Sequence, residues 1–225
     1  MIKPAKPARE NISPSDLTFG LSTCKRCLWI KYWFKVTMPG AFPLVGTMAA
    51  LQEEHFQGAD MPTIDPSLRA GKVTKWGEWV KSKPLVVNGV ESRWRILGKY
   101  DLVATNEDGT IGLIDCKVSD SQRDSGQFYS PQLEAYAYAL ENPAAGKAQS
   151  VASMGLLVWR PTTAIGSNAD EYGFGVMQKY VPVERDQDNF LKVIGEFIDV
   201  LEGDLPDAGS ECQTCTYLTA RNALD

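Results

Sequence analysis

Hydrophobic and polar positions alternate with two different periods along this 225-residue chain. Between Pro43 and Gln57 (PLVGTMAALQEEHFQ) the pattern returns at positions 44, 48, 51 and 55/56, a helical spacing that carries His55, with Gly58 as a stop. From Leu85 to Val103 the pattern predicts a strand, an Asn-Gly turn and a second strand. Asn106-Glu107-Asp108-Gly109-Thr110 is a further turn, and IGLIDCKVS follows as the next strand. Ser130-Pro131 opens a helix that runs through QLEAYAYALEN and ends at Asn142-Pro143. Strands are expected at 151–161 and 174–183. A last amphipathic helix places Phe190, Ile194, Phe197, Ile198 and Leu201 on one face, with Gly203 at its end. Residues 1–15 have no periodicity and read as a loose arm, leaving 16–225 as a single domain. The order of elements predicts an α/β or α+β fold around a central mixed β-sheet flanked by helices.

Composition narrows the setting. At 44% hydrophobic and 23% charged the chain has the make-up of a globular protein. With no apolar run of membrane-spanning length and no apolar stretch behind the basic N-terminal residues, the expectation is a cytoplasmic protein with no membrane partner. The net charge of −5 at first disfavours a polyanionic partner, but its distribution is uneven. Residues 69–99 hold eight basic residues against two acids, whereas residues 184–211 hold nine acids against two basic residues. Trp76, Trp79 and Trp94 lie among the basic residues, where they suit either stacking on unpaired bases or a core.

LIDCKVS raises the chemical question, because an acid and a lysine close a hydrophobic run. Counting outward from the three-residue turn at Glu107-Asp108-Gly109 sets 103 opposite 113 and Asp101 opposite Asp115. Two carboxylates so placed repel unless a cation neutralises them, and hard oxygen ligands suit Mg²⁺ or Mn²⁺. Strand alternation puts Lys117 on the face of Asp115 and turns the Cys116 side chain to the other. The lysine is then beside the site, able to orient a metal-bound water and offset charge on a phosphate.

GKYDLVATNEDGTIGLIDCKVS resembles the core of the PD-(D/E)XK nuclease superfamily, with Asp101 as its first acid and Asp115-Cys116-Lys117 as its (D/E)-X-K element. QLEAY, further on, resembles the Q-x-x-x-Y helix of the RecB-like branch, which includes CRISPR-associated exonucleases. The resemblance implies a restriction-endonuclease-like core and divalent-metal-dependent hydrolysis of DNA, on single strands or ends. It implies that His55, Asp101, Asp115 and the backbone carbonyl of Cys116 bind the metal. Gln132 and Tyr136 would orient the substrate strand. Possible protein partners lie in DNA repair, phage DNA processing or CRISPR adaptation. A non-catalytic nucleic-acid-binding or assembly module on the same fold is the alternative.

Four further cysteines form two pairs, Cys24-Lys-Arg-Cys27 and Cys212-Gln-Thr-Cys215. Meeting in space, they would make a four-thiolate site for zinc or an iron–sulfur cluster that joins the two ends of the domain. The resemblance implies a [4Fe–4S] cluster, while the two-and-two division of the cysteines fits zinc equally well.

Overall fold

A computed structural model describes residues 2–37, 43–119, 126–168 and 171–224. In chain order the elements are β1 (Asn11–Ile12), α1 (Pro14–Thr23), α2 (Lys25–Phe34), α3 (Pro43–His55), α4 (Met61–Ile64), β2 (Gly71–Trp76) and β3 (Trp79–Lys81). There follow β4 (Val86–Val87), β5 (Val90–Glu91), β6 (Arg95–Lys99), β7 (Leu102–Asn106), β8 (Ile111–Val118) and α5 (Gly126–Glu141). The chain finishes with β9 (Val151–Asn168), β10 (Glu171–Val183), α6 (Gln187–Glu202) and α7 (Gln213–Asn222).

The main sheet has the order β10-β9-β8-β7-β2. It is mixed, because β8 and β9 run parallel across the α5 connection while the other neighbours are antiparallel. Alternation along the central strands divides the core in two. Val103, Leu113 and Leu156 face one cluster, shared with Leu133 and Ala137 of α5 and Phe190, Ile194 and Phe197 of α6. Leu102, Ile114, Cys116 and Leu157 face the other, closed by Phe56, Met61 and Ile64. This is the expected mixed sheet with helices on both faces.

A smaller sheet, β1-β6-β3, stands beside it. The second strand expected up to Val103 is therefore not one strand. The Asn88-Gly89 turn is present, with both residues at positive φ, but its strands β4 and β5 form a separate ribbon. The chain then passes through β6 in the small sheet and changes direction at Tyr100-Asp101 before entering the main sheet as β7.

Three other boundaries differ from the sequence pattern. Helix α5 starts at Gly126, so Pro131 lies inside it rather than at its opening. β9 and β10 extend past the expected ends into a long ribbon. The N-terminal segment read as an arm lies against the body: β1 pairs with β6, the Arg9 amide donates to the Tyr32 carbonyl (3.0 Å), and the Lys3 ammonium lies 4.3 Å from the Trp33 ring centroid. Short polar segments such as this have no period of their own and take their course from what they pack on.

Gly98 is where the small sheet meets α5. A Cβ at this position would lie 2.7 Å from the Pro14 ring and from Cε1 of Tyr136. Gly98→Ala is expected to lower stability by about 1–3 kcal/mol through overpacking, read as a lower Tm.

Candidate metal centre and four-cysteine cluster

The two acids sit where β6 leaves the small sheet and β7 joins the large one. The β7–β8 ladder has Val103 opposite Leu113 and Leu102 opposite Ile114, the register counted from the turn. Gly109 takes φ +81° in that turn, the left-handed conformation that a three-residue hairpin loop requires of its last residue. One further step along the register sets Asp101 opposite Asp115. Asp101 lies just beyond the last rung, and its Oδ2 accepts a 2.6 Å hydrogen bond from the Cys116 amide.

The surroundings hold both carboxylates firmly. Asp115 is 2% exposed; its Oδ1 accepts from Gln132 Nε2 at 2.8 Å and its Oδ2 is ion-paired with Lys117. Burial and the neighbouring Asp115 charge push the Asp101 carboxyl up to about 8, although part of its surface remains open. Desolvation opposes the Lys117 charge, but Asp115 and Asp101 outweigh it and hold the ammonium above its ordinary range. The ammonium also lies 5.0 Å from the Tyr129 ring centroid.

Cys116 behaves as the alternation requires. Its thiol is buried among Ile114 and Leu157, and desolvation followed by the nearby acids raises its pKa. In an extended strand the N–H and C=O of one residue leave on the same edge. The Cys116 carbonyl is therefore directed toward Asp101, past the last β7 amide that donates in the ladder.

Gln132 and Tyr136 share one face of α5, as their spacing requires, yet both are engaged within the protein. Gln132 holds Asp115, and the Tyr136 hydroxyl donates to the Lys99 carbonyl at 2.7 Å, fixing the strand end that leads to Asp101. The structure does not bring His55 into a cluster with the acids. It is exposed at the end of α3, its ring against Phe56 and Trp159 at 4.7 and 5.9 Å. The α3 side chain whose charge reaches Asp101 is Glu53, two residues earlier. Its Oε2 lies 3.5 Å from the Lys99 ammonium. Positions 53 and 55 point about 200° apart around a helix, so one helical face cannot present both. Glu53 was legible only as a polar neighbour of the histidine.

The four cysteines meet. Cys24 and Cys212 occupy the N-caps of α2 and α7, so two helix N-termini are turned toward the sulfurs. All four Sγ atoms lie within 4.8 Å of one another, with Cys27–Cys215 at 3.6 Å, Cys27–Cys212 at 3.7 Å and Cys24–Cys215 at 3.8 Å. Among the described residues this is the one cluster of three or more such donors. Burial raises the Cys24 thiol, but hydrogen bonds from the Cys27 and Gly209 amides and from neighbouring thiols more than offset it and bring it down to about 7.

The family model of the PD-(D/E)XK nuclease superfamily matches residues 46–220. The chain belongs to that superfamily. The structure reported as "Crystal structure of SSO0001" is similar over 97% of this chain and 87% of its own, with a TM-score of 0.51 and 13% identity. That likeness is one of fold. The search of curated proteins finds no match. Membership of this superfamily points to a divalent-metal-dependent nuclease, and the four-cysteine cluster is a second possible metal site. No helix among the described residues is long and apolar enough to cross a membrane.

The raised Asp101 pKa has a defined consequence without added divalent ion. Between its unfolded value of about 4 and its folded value of about 8, the folded chain keeps a proton that the unfolded chain releases. That contribution to stability is complete below about pH 4 and is lost as pH rises through about 8. Asp101→Asn should match the wild-type Tm at the acid end and gain on it progressively across this window. A constant difference would show that Asp101 is already ionised at neutral pH.

Proposed function

We propose that the protein is a metal-dependent deoxyribonuclease of the RecB-like branch, hydrolysing phosphodiester bonds at single strands or ends. The observation that carries this reading is the pair of enclosed carboxylates, Asp101 and Asp115, with Lys117 on the same face. Like charges in so dry a place are stabilised by a divalent cation, and their hard oxygens suit Mg²⁺ or Mn²⁺. Asp101, Asp115 and the Cys116 carbonyl would hold the ion. Glu53, whose charge reaches Asp101, would supply a further ligand, whereas His55 would reach the acids only if α3 turned about its axis. When bound, the metal would lower the pKa of a water and polarise the phosphate.

The chain's own groups do the rest. Lys117 is close enough to Asp115 to orient a nucleophilic water and to offset charge building on the phosphate oxygens. Gln132 keeps the Asp115 carboxylate aimed, and Tyr136 holds the carbonyl two residues before Asp101. Gln132 and Tyr136 would thus orient the substrate strand by way of Asp115 and of the chain that carries Asp101.

For the cysteine cluster the sulfur spacing favours one ion. Four thiolates about 2.3 Å from a single tetrahedral ion stand about 3.8 Å apart, matching the 3.6–3.8 Å separations. A cubane cluster would have to spread the same sulfurs across its own width. Zinc therefore suits these positions better than [4Fe–4S]. Partners in DNA repair, phage DNA processing or CRISPR adaptation are compatible with such a nuclease.

Lys117→Ala is expected to abolish Mn²⁺-dependent cleavage of end-labelled DNA while leaving the far-UV circular dichroism unchanged. Undiminished cleavage by the purified variant would refute the assignment, and EDTA-insensitive binding without cleavage by the wild type would favour the non-catalytic alternative. Metal analysis should return about one zinc per chain in a colourless protein, following the tetrahedral site. A brown protein containing iron and acid-labile sulfide would identify the cluster instead.

A further inference from the structure

Outside the acid pair, the feature with no assigned role is the outer face of β3 and β6. The two strands pair with Trp79 opposite Lys99 and Lys81 opposite Leu97. Alternation therefore puts Trp79 and Lys81 on one face with Arg95, Leu97 and Lys99, while Val80, Ile96 and Gly98 turn inward against the core. Trp79 is 70% exposed, and Trp76, at the near end of β2, is 39% exposed. Trp94, the third tryptophan of the basic segment, belongs to the core, its indole N–H bonded to Glu202. Two large indoles thus remain in solvent within a four-residue turn whose neighbours are basic.

That turn is fastened to the acid site. Gly77, at φ +58°, donates its amide to the Asp101 carbonyl at 2.9 Å, and the Glu78 carbonyl accepts from the Tyr100 amide at 3.1 Å. The Tyr100 hydroxyl donates to Glu78 at 2.8 Å, occupying the acid nearest the indoles. Lys99 is two residues from Asp101. The basic and aromatic face therefore leads along β6 directly to the first carboxylate.

We propose that this face is the approach track for an unpaired DNA strand, with Trp79 and Trp76 stacking on bases and Lys81, Arg95 and Lys99 following the phosphates. The inference rests on the nuclease reading for what happens at the end of the track. Its own basis is the combination of exposed π-faces and local positive charge, which suits a flexible strand whose bases are free to stack. A base-paired duplex hides those faces, so the indoles favour an unpaired strand over a duplex.

The test is binding, measured by anisotropy of a short labelled oligothymidylate without added Mg²⁺ or Mn²⁺. An abasic strand of equal length and a blunt duplex serve as comparisons. Trp79 is 70% exposed, so Trp79→Ala removes little packing; Trp76 is 39% exposed, so the fold of Trp76→Ala is checked by circular dichroism. Trp79→Ala is expected to weaken oligothymidylate binding about tenfold, the scale of one lost stacking contact, and Trp79→Phe to restore most of it. Neither should change abasic-strand binding, whereas Lys81→Ala should weaken both strands and lower the salt dependence. Wild-type affinity in the Trp76→Ala/Trp79→Ala double variant would overturn the proposal. So would an equal loss on the abasic strand, or tighter binding of the duplex than of the single strand. Base-dependent binding by a protein that cleaves nothing would leave the track standing and refute hydrolysis instead.

Discussion

Two carboxylates forced together at the end of a dry strand pair set the terms for everything around them. An unpaired buried charge is costly, and a second of the same sign beside it adds repulsion. The compensation comes from every direction: the Cys116 amide to Asp101, the Gln132 amide to Asp115, and the Lys117 ammonium along the same strand. Two of these donors belong to β8 and one to α5, while Asp101 itself leads into β7, so the acids hold their positions only when β7, β8 and α5 are all in place. Tyr136 on the Lys99 carbonyl and Gly77 on the Asp101 carbonyl extend that dependence to the small sheet. Helix and sheets are thus coordinated through the polar groups of one site as well as through the core.

The parts of this arrangement legible in the sequence were those governed by local rules. A three-residue turn with glycine at its positive-φ position specified the β7–β8 register, and the register specified the acid pair. A period of two separated Cys116 from its neighbours, and the periodic face of α6 matched its buried face residue for residue. What stayed hidden depended on how elements are placed in space. The turn of chain between β6 and β7 falls inside an uninterrupted strand-like pattern, because both sheets ask for the same alternation. Ser130 and Pro131 have the chemistry of a helix start, yet α5 begins a turn earlier. Gln132 and Tyr136 were marked as functional, but only contacts reveal that they act on Asp115 and a backbone carbonyl. Glu53 could be distinguished from His55 only once the orientation of α3 was known.

Charge is partitioned over the same framework. The acidic residues of 184–211 lie along the open side of α6 and on the segments that flank it, and Glu202 receives Arg93 and Trp94 from the basic segment. Arg185 joins Glu134 and Glu141 of α5 and the Val151 carbonyl, so one guanidinium ties a helix, a strand start and the entry to α6. With those acids satisfied internally or turned to solvent, the basic face of β3 and β6 carries a single ion pair among the described residues, Lys99 with Glu53. A net charge of −5 thus coexists with a positive surface beside the acid site.

The meeting of Cys24 and Cys27 with Cys212 and Cys215 has a mechanical consequence. It brings together segments separated by up to 191 residues, on the two sides of the sheet-bearing region. With a metal bound, the chain between Cys24 and Cys215 would be closed into one loop that contains β2 to β10 and both acids. Separating the two ends of that loop would then stretch metal–sulfur bonds before the main-sheet ladders, while β1, ahead of Cys24, stays outside that protection. An ion held there would act on the acid pair at a distance, as a shear pin that limits how far the loop carrying it can open.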